Sequence, residues 1–223
     1  VSCNVGRPQV AYRETVTTEV TERGHFEREL AGKTNFAEVE LTIGPGDYGT
    51  GFTFVNEVKG DRVPAEFVPF IAESAMQACE TGVLAGYPLV DLAVRLTGGA
   101  WREGESTEMG FRNAAVNALW DGAKRAEPVL LEPVMAVEVT VPAEFLGDVT
   151  GHLNSLRGRV MGMEQRKNDQ VVSAEVPLVE MFGFATPLRS LTQGRGVFSM
   201  QLSRYDKVPE KIAAGIMRLH AGA

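Results

Sequence analysis

The stretch Val176-Pro177-Leu178-Val179-Glu180-Met181-Phe182-Gly183-Phe184-Ala185-Thr186-Pro187-Leu188-Arg189-Ser190-Leu191-Thr192-Gln193-Gly194-Arg195-Gly196 decides how the second half of this 223-residue chain reads. An apolar run from Gln170 ends as a strand at Val176. Met181, Phe182 and Phe184 then read as core residues. Thr186 is a good N-cap, and Pro187 suits the first position of a short helix, where its missing N–H costs nothing. Val197 to Tyr205 returns as a strand. Outward from this run, Val134 to Val141 is a strand. Pro142 opens a helix with Phe145, Val149, Leu153 and Leu156 on one face, closed by Gly158. Arg159–Gln165 and Gln170–Val176 are strands joined by Arg166-Lys167-Asn168-Asp169. The order β-α-β-β-α-β is a split βαβ unit, and Pro209 to Leu219 adds a terminal helix.

The first half also mixes strands and helices, so the fold class is α+β in two domains, 1–127 and 128–223, with a boundary near Glu127-Pro128. Val10, Tyr12, Glu14, Val16, Thr18 and Val20 alternate as one strand, and Val39, Leu41 and Ile43 as a second. Gly44 to Gly51 reads as a loop. Phe52, Phe54 and Val58 suggest a third strand, and Leu89 to Leu96 a fourth. Pro64 suits the start of a helix with Phe67, Ile71, Ala75 and Cys79 on one face, ended by Gly82. Ser106 is the expected N-cap of a helix buried on more than one side, carrying Phe111, Ala115, Val116, Leu119, Trp120 and Ala123, with Glu108 in its first turn.

Composition is that of an ordinary globular chain, 44% apolar and 23% charged. No apolar run approaches the ~18 residues of a membrane span, and nothing after Val1 reads as a signal peptide. Cys3 and Cys79 are expected to remain thiols in a reducing cytosol. The net charge of −7 is concentrated in the first half, with 12 Lys/Arg against 19 Asp/Glu; the second half is balanced at 10 against 10. Any nucleic-acid contact therefore needs local cations, not a broad positive field.

Several chemistries find no support. There is no phosphate-cradling G-x-x-x-x-G-K-[ST] loop. Gly44-Pro45-Gly46-Asp47-Tyr48-Gly49 fits G-x-G-x-x-G, but a strand follows where a dinucleotide site needs a helix. His25, His152 and His220 lack metal-ligand spacing with one another or with the cysteines. No catalytic residue, metal ligand or cofactor-binding residue is assigned. The candidate contacts are polar. The loop Trp101-Arg102-Glu103-Gly104-Glu105-Ser106 lies at the positive end of a helix: Trp101 offers a stacking face and Arg102 a fork for phosphate, while Glu103 and Glu105 oppose phosphate. Lys33-Thr34-Asn35 forms a second polar turn. Arg157 and Arg159 flank a helix C-terminus, where the dipole alone favours them. Arg189 and Arg195 are further contact candidates.

Three blocks in order resemble bacterial translation elongation factor G. Val5-Gly6-Arg7-Pro8-Gln9-Val10-Ala11-Tyr12-Arg13-Glu14-Thr15 is similar to the opening of its fourth domain. Pro128-Val129-Leu130-Leu131-Glu132-Pro133 is similar to the junction of its fourth and fifth domains, and Val176–Gly196 to its C-terminal domain. The resemblance covers nearly the whole chain. It implies a tRNA-mimicking arm followed by a ferredoxin-like domain: the ribosome-binding part of a translational GTPase, with no enzyme activity of its own here. GTP, magnesium and the GTP-binding domains belong to the parent protein. The implied partners are ribosomal: the decoding A site, large-subunit RNA and, indirectly, tRNA and mRNA, in the cytoplasm and away from membranes. The implied task is translocation during protein synthesis.

The resemblance places Trp101–Ser106 and Lys33–Asn35 at the tip of the arm. The family usually has Tyr-His-Asp-Val-Asp-Ser-Ser-Glu where this chain has Trp101-Arg102-Glu103-Gly104-Glu105-Ser106-Thr107-Glu108. It usually has a glycine-rich companion loop where this chain has Lys33-Thr34-Asn35. In the last domain, His152-Leu153 and Leu156-Arg157-Gly158 each lack one charge of the usual pattern. These departures keep two alternatives open: a paralog for ribosome recycling or tetracycline-type ribosomal protection, and a free-standing acidic interaction module.

Overall fold

A computed structural model describes residues 9–30 and 32–221. They form two compact α+β units. One holds residues 13–130 with 208–221, the other residues 9–12 with 131–207.

The alternation from Val10 to Val20 yields two strands where one was expected, β1 (Arg13–Val16) and β2 (Val20–Leu30). The break falls where the backbone N–H groups of Thr17 and Thr18 both donate to the Ala126 carbonyl, which takes this short segment out of the strand. Strand β2 pairs with β3 (Lys33–Pro45) in unbroken antiparallel register, from Val20↔Ile43 to Leu30↔Lys33. The turn Gly46–Gly51 leads to β4 (Phe52–Asn56). Gly46 N–H donates to Asp91 O, and Thr50 N–H to Asp47 O; the glycine pattern is a turn into a strand. A 3-10 turn over Ala65–Phe67 opens α1 (Val68–Ala78), and β5 (Leu92–Ala100) pairs antiparallel with β3 and parallel with β4. The sheet order is β2-β3-β5-β4.

Helix α2 (Glu108–Arg125) packs on this sheet at backbone distance because its contact face is nearly all small. A Cβ on Gly24 would lie 1.8 Å from the Ala114 carbonyl oxygen, and one on Gly122 would lie 2.4 Å from Ile43 Cδ1. Ala114, Ala115 and Ala118 are fully buried there, around a core of Leu41, Ile43, Ile71, Leu92, Leu96, Phe111 and Leu119. The N-cap is Thr107, accepting from Gly110 N–H, not Ser106. Ser106 Oγ donates to the Phe36 carbonyl oxygen instead. Glu14, fully buried, accepts backbone N–H bonds from Leu84, Ala85 and Tyr87. It thereby satisfies donors of the connection between α1 and β5.

The second unit follows the expected order: β6 (Pro128–Pro142), α3 (Leu146–Ser155), β7 (Arg159–Arg166), β8 (Asp169–Pro177), α4 (Ala185–Leu191) and β9 (Val197–Lys207). Strand β6 lies between β8 and β9, with β7 beyond β8. Val137, Val139, Val141, Val172, Val176, Leu153 and Leu188 form its core, with Met181 and Phe184; Phe182 is exposed. Helix α4 begins at Ala185, so Pro187 stands in its first turn and Thr186 is not the cap. Helix α3 ends with Arg157 in the left-handed conformation, φ 56. Gly158 serves a different need: a Cβ there would lie 2.4 Å from Leu153 O.

The expected boundary at Glu127-Pro128 falls three residues before the change of unit, while residues 9–12 group with the second unit and 208–221 with the first. Tyr205 Oη donates to Ala11 O, and Val208 N–H to Leu130 O. α5 (Glu210–Ala221) accordingly belongs with the first unit. No helix of the described residues is long and apolar enough to cross a membrane.

Gly24→Ala is expected to destabilise the protein by about 1–3 kcal/mol or more, because the obstacle is helix backbone and not a movable side chain. The urea midpoint reads this loss. Burial pushes the Cys79 thiol up to about 12. In a Cys3→Ser background, Cys79 is therefore expected to resist a disulfide reagent at about pH 8 until urea unfolds the chain; fast labelling of the folded protein would contradict this.

Candidate functional site

One end of the first unit brings together the β2–β3 hairpin and the loop between β5 and α2. The link begins with strand alternation. Glu27 and Phe36 are direct cross-strand partners, so they share a face, as do His25 and Glu38. Gly24 and Val39, the pair next to His25 and Glu38, face α2. Phe36 thus stands among charged side chains on the face away from the helices, yet it is only 6% exposed. Its cover is the loop. The Arg102 guanidinium lies 3.8 Å above the Phe36 ring, and His25 meets the same ring edge-on at 5.7 Å. Arg102 Nη1 donates to Glu27 at 2.9 Å and to Glu105 at 3.3 Å. These carboxylates, Glu27 first, hold the guanidinium above its ordinary pKa.

The loop backbone is equally tied. Arg102 O accepts from Glu105 N–H and Ser106 N–H, Phe36 N–H donates to Glu105 O, and Arg102 N–H donates to Ser106 Oγ. Gly104 takes φ +76 at the bend. Trp101 is 40% exposed and is fixed by its indole N–H on Asp61 O. Asn35 is buried, donating to Thr107 Oγ1 at 2.7 Å, and its Oδ1 has no partner. Among the expected tip residues, Trp101, Arg102, Glu103, Gly104, Glu105, Ser106, Thr34 and Asn35 therefore converge on one end, with Asn35 inside and Trp101 and Glu103 outside. The Lys33 side chain lies outside the described residues. Glu27 and Phe36 were missed in the sequence. Phe36, an apolar residue in register with a charged face, was the available signal.

In the second unit the four candidate arginines divide into two pairs. Arg157 is structural in its contacts: Nη1 and Nη2 grip Glu132 at 2.7 and 3.0 Å, and Nε reaches Glu180 at 2.8 Å. Glu132 is only 3% exposed, and its carboxylate is the leading reason that Arg157 is held above its ordinary pKa. Arg195 pairs with Glu144 and stacks on Phe145 at 4.7 Å. Arg159 and Arg189 are exposed and, among the described residues, form no ion pair. The His152 ring stacks parallel on Phe184 at 5.7 Å, and its Nε2 is buried without a partner. No group of three or more His, Cys, Asp or Glu among the described residues is placed to hold a metal ion.

Two α+β units, the first with two loops fastened together at one end and the second a split βαβ domain, define a two-domain mixed α+β protein. Residues 8–127 match the model for elongation factor G domain IV, and residues 129–216 the model for the elongation factor G C-terminus. The chain belongs to the elongation factor G family. It is similar to a crystal structure from Thermus thermophilus, with 32% identity and a TM-score of 0.88, across 98% of this chain. It spans 33% of that chain's length.

Arg157→Met is expected to cost about 3–5 kcal/mol, because it strands the buried Glu132 carboxylate. Arg159→Met should stay within about 0.5 kcal/mol. Equal urea midpoints for the two variants would remove the distinction.

Proposed function

We propose that this chain is the ribosome-binding part of a translational GTPase that promotes movement of tRNA and mRNA during protein synthesis. The observation that carries the reading is the tip. Two loops separated by about 70 residues of sequence are fastened at one end of a unit that matches domain IV. In this reading the tip enters the small-subunit decoding region, and the second unit meets large-subunit RNA. The work is positional: a stiff arm fills the A site, and the chain performs no bond chemistry. GTP and magnesium belong to GTP-binding domains of the parent protein, and the setting is the cytoplasm.

Arg159 and Arg189, exposed and without ion pairs among the described residues, are the phosphate contacts this reading favours in the second unit. Arg157 and Arg195 already have carboxylate partners, and a phosphate would have to displace them.

A second reading is a paralog specialised for recycling or ribosomal protection. The engaged Arg102 favours it, because this position carries a guanidinium bound to Glu27 and Glu105 where the family's loop usually has an imidazole. Single-turnover translocation by the full-length gene product, with GTP hydrolysis followed in parallel, separates the two. Fast translocation supports the first reading. Ribosome-stimulated hydrolysis without translocation supports the second, and neither activity overturns both.

Arg159→Gln and Arg189→Gln should each weaken ribosome binding and lower its log–log salt slope by about 0.7–0.9. Binding titrations across salt concentrations check this, and unchanged slopes for both would remove these residues from the RNA contact.

A further inference from the structure

Resting on the ribosome-arm reading, we propose that Arg102 is a positioning residue that clips the β5–α2 loop to the β2–β3 hairpin, and not a phosphate contact. Its head group touches three segments at once: Glu27 on β2, Phe36 on β3 and Glu105 within the loop. Its backbone closes the same loop through Ser106, whose hydroxyl donates to the Phe36 carbonyl oxygen.

Each exposed ion pair alone would fix little. Here one planar guanidinium serves two carboxylates and an aromatic face together, which a lysine ammonium cannot reproduce. The charge sum points the same way. Two carboxylates surround one guanidinium, so this cluster is net negative and repels a phosphate. What the loop presents to a partner is its backbone bend at Gly104 and the indole of Trp101, held at 40% exposure by Asp61 O.

The two roles make opposite predictions. Replacing both carboxylates, Glu27→Gln with Glu105→Gln, frees the Arg102 charge. A phosphate-contacting Arg102 would then bind ribosomes more tightly with a steeper salt dependence. A positioning Arg102 loses its anchors, so binding weakens several-fold with an unchanged slope. Arg102→Met should reproduce that loss, again with an unchanged slope, where loss of a phosphate contact would lower the slope by about 0.7–0.9. Arg102→Lys should fail to rescue.

The loop is read independently of ribosomes. The chain has two tryptophans, so a Trp120→Phe background isolates Trp101 fluorescence. Acrylamide quenching of Trp101 should rise in both Arg102→Met and the double glutamine variant, with no change in far-UV circular dichroism. Unchanged quenching in both, or a fall in salt slope for Arg102→Met, overturns the proposal. If the parental protein fails to bind ribosomes, the ribosomal reading fails, while quenching still decides whether Arg102 is the clip.

Discussion

The close approach of α2 to the backbone of β2 and β3 is the constraint on which the first unit depends. A helix normally stands off a sheet by the length of its side chains. Here Gly24 removes the side chain on the strand, and Ala114 and Ala118 shorten those on the helix. The closeness also sets where the tip can form. The helix starts at Glu108, immediately after Thr107 takes Gly110 N–H and receives the Asn35 amide. A helix standing farther out would break that contact and carry the preceding loop away from Phe36.

Charge is used mainly for structure. Arg23 is matched to Glu40, Arg112 to Glu73 and Glu108, Arg125 to Glu22, Arg157 to Glu132 and Glu180, and Arg204 to Glu175. Of the five candidate arginines, Arg102, Arg157 and Arg195 likewise have carboxylate partners. A net charge of −7 does not describe the surface that a polyanion meets. Where the cations without an ion pair among the described residues stand, Arg159 and Arg189 for instance, matters more than the sum.

Much of the architecture was legible because it rests on local rules. Alternation at Val39, Leu41 and Ile43 and the helical stripe of Ile71 and Ala75 each report their own burial. The β-α-β-β-α-β order followed from such segments. Strand β2 was not legible beyond Val20: its inner positions are Gly24 and Phe26, and glycine carries no apolar signal where a helix sits on it. Caps slipped by one residue at Ser106, because a serine hydroxyl can serve a neighbouring strand as well as a helix end. The placement of the tip loops could be anticipated, but their chemistry could not. The pairing of Arg102 with Glu27 spans 75 residues and depends on which face of β2 is outward. The same holds for Arg157 and Glu132, 25 residues apart.

The sheet order β2-β3-β5-β4 has a consequence in time. The β2–β3 hairpin joins neighbours in sequence, with register running out to Leu30 opposite Lys33, so it can form early in folding. Strand β5 must enter between β3 and β4 only after a crossover through α1, pairing Phe52 with Leu92, and such non-local parallel pairing is slow. The two halves of the tip therefore mature at different moments. On a nascent chain, the hairpin waits with Phe36 uncovered until β5 and α2 have been synthesised.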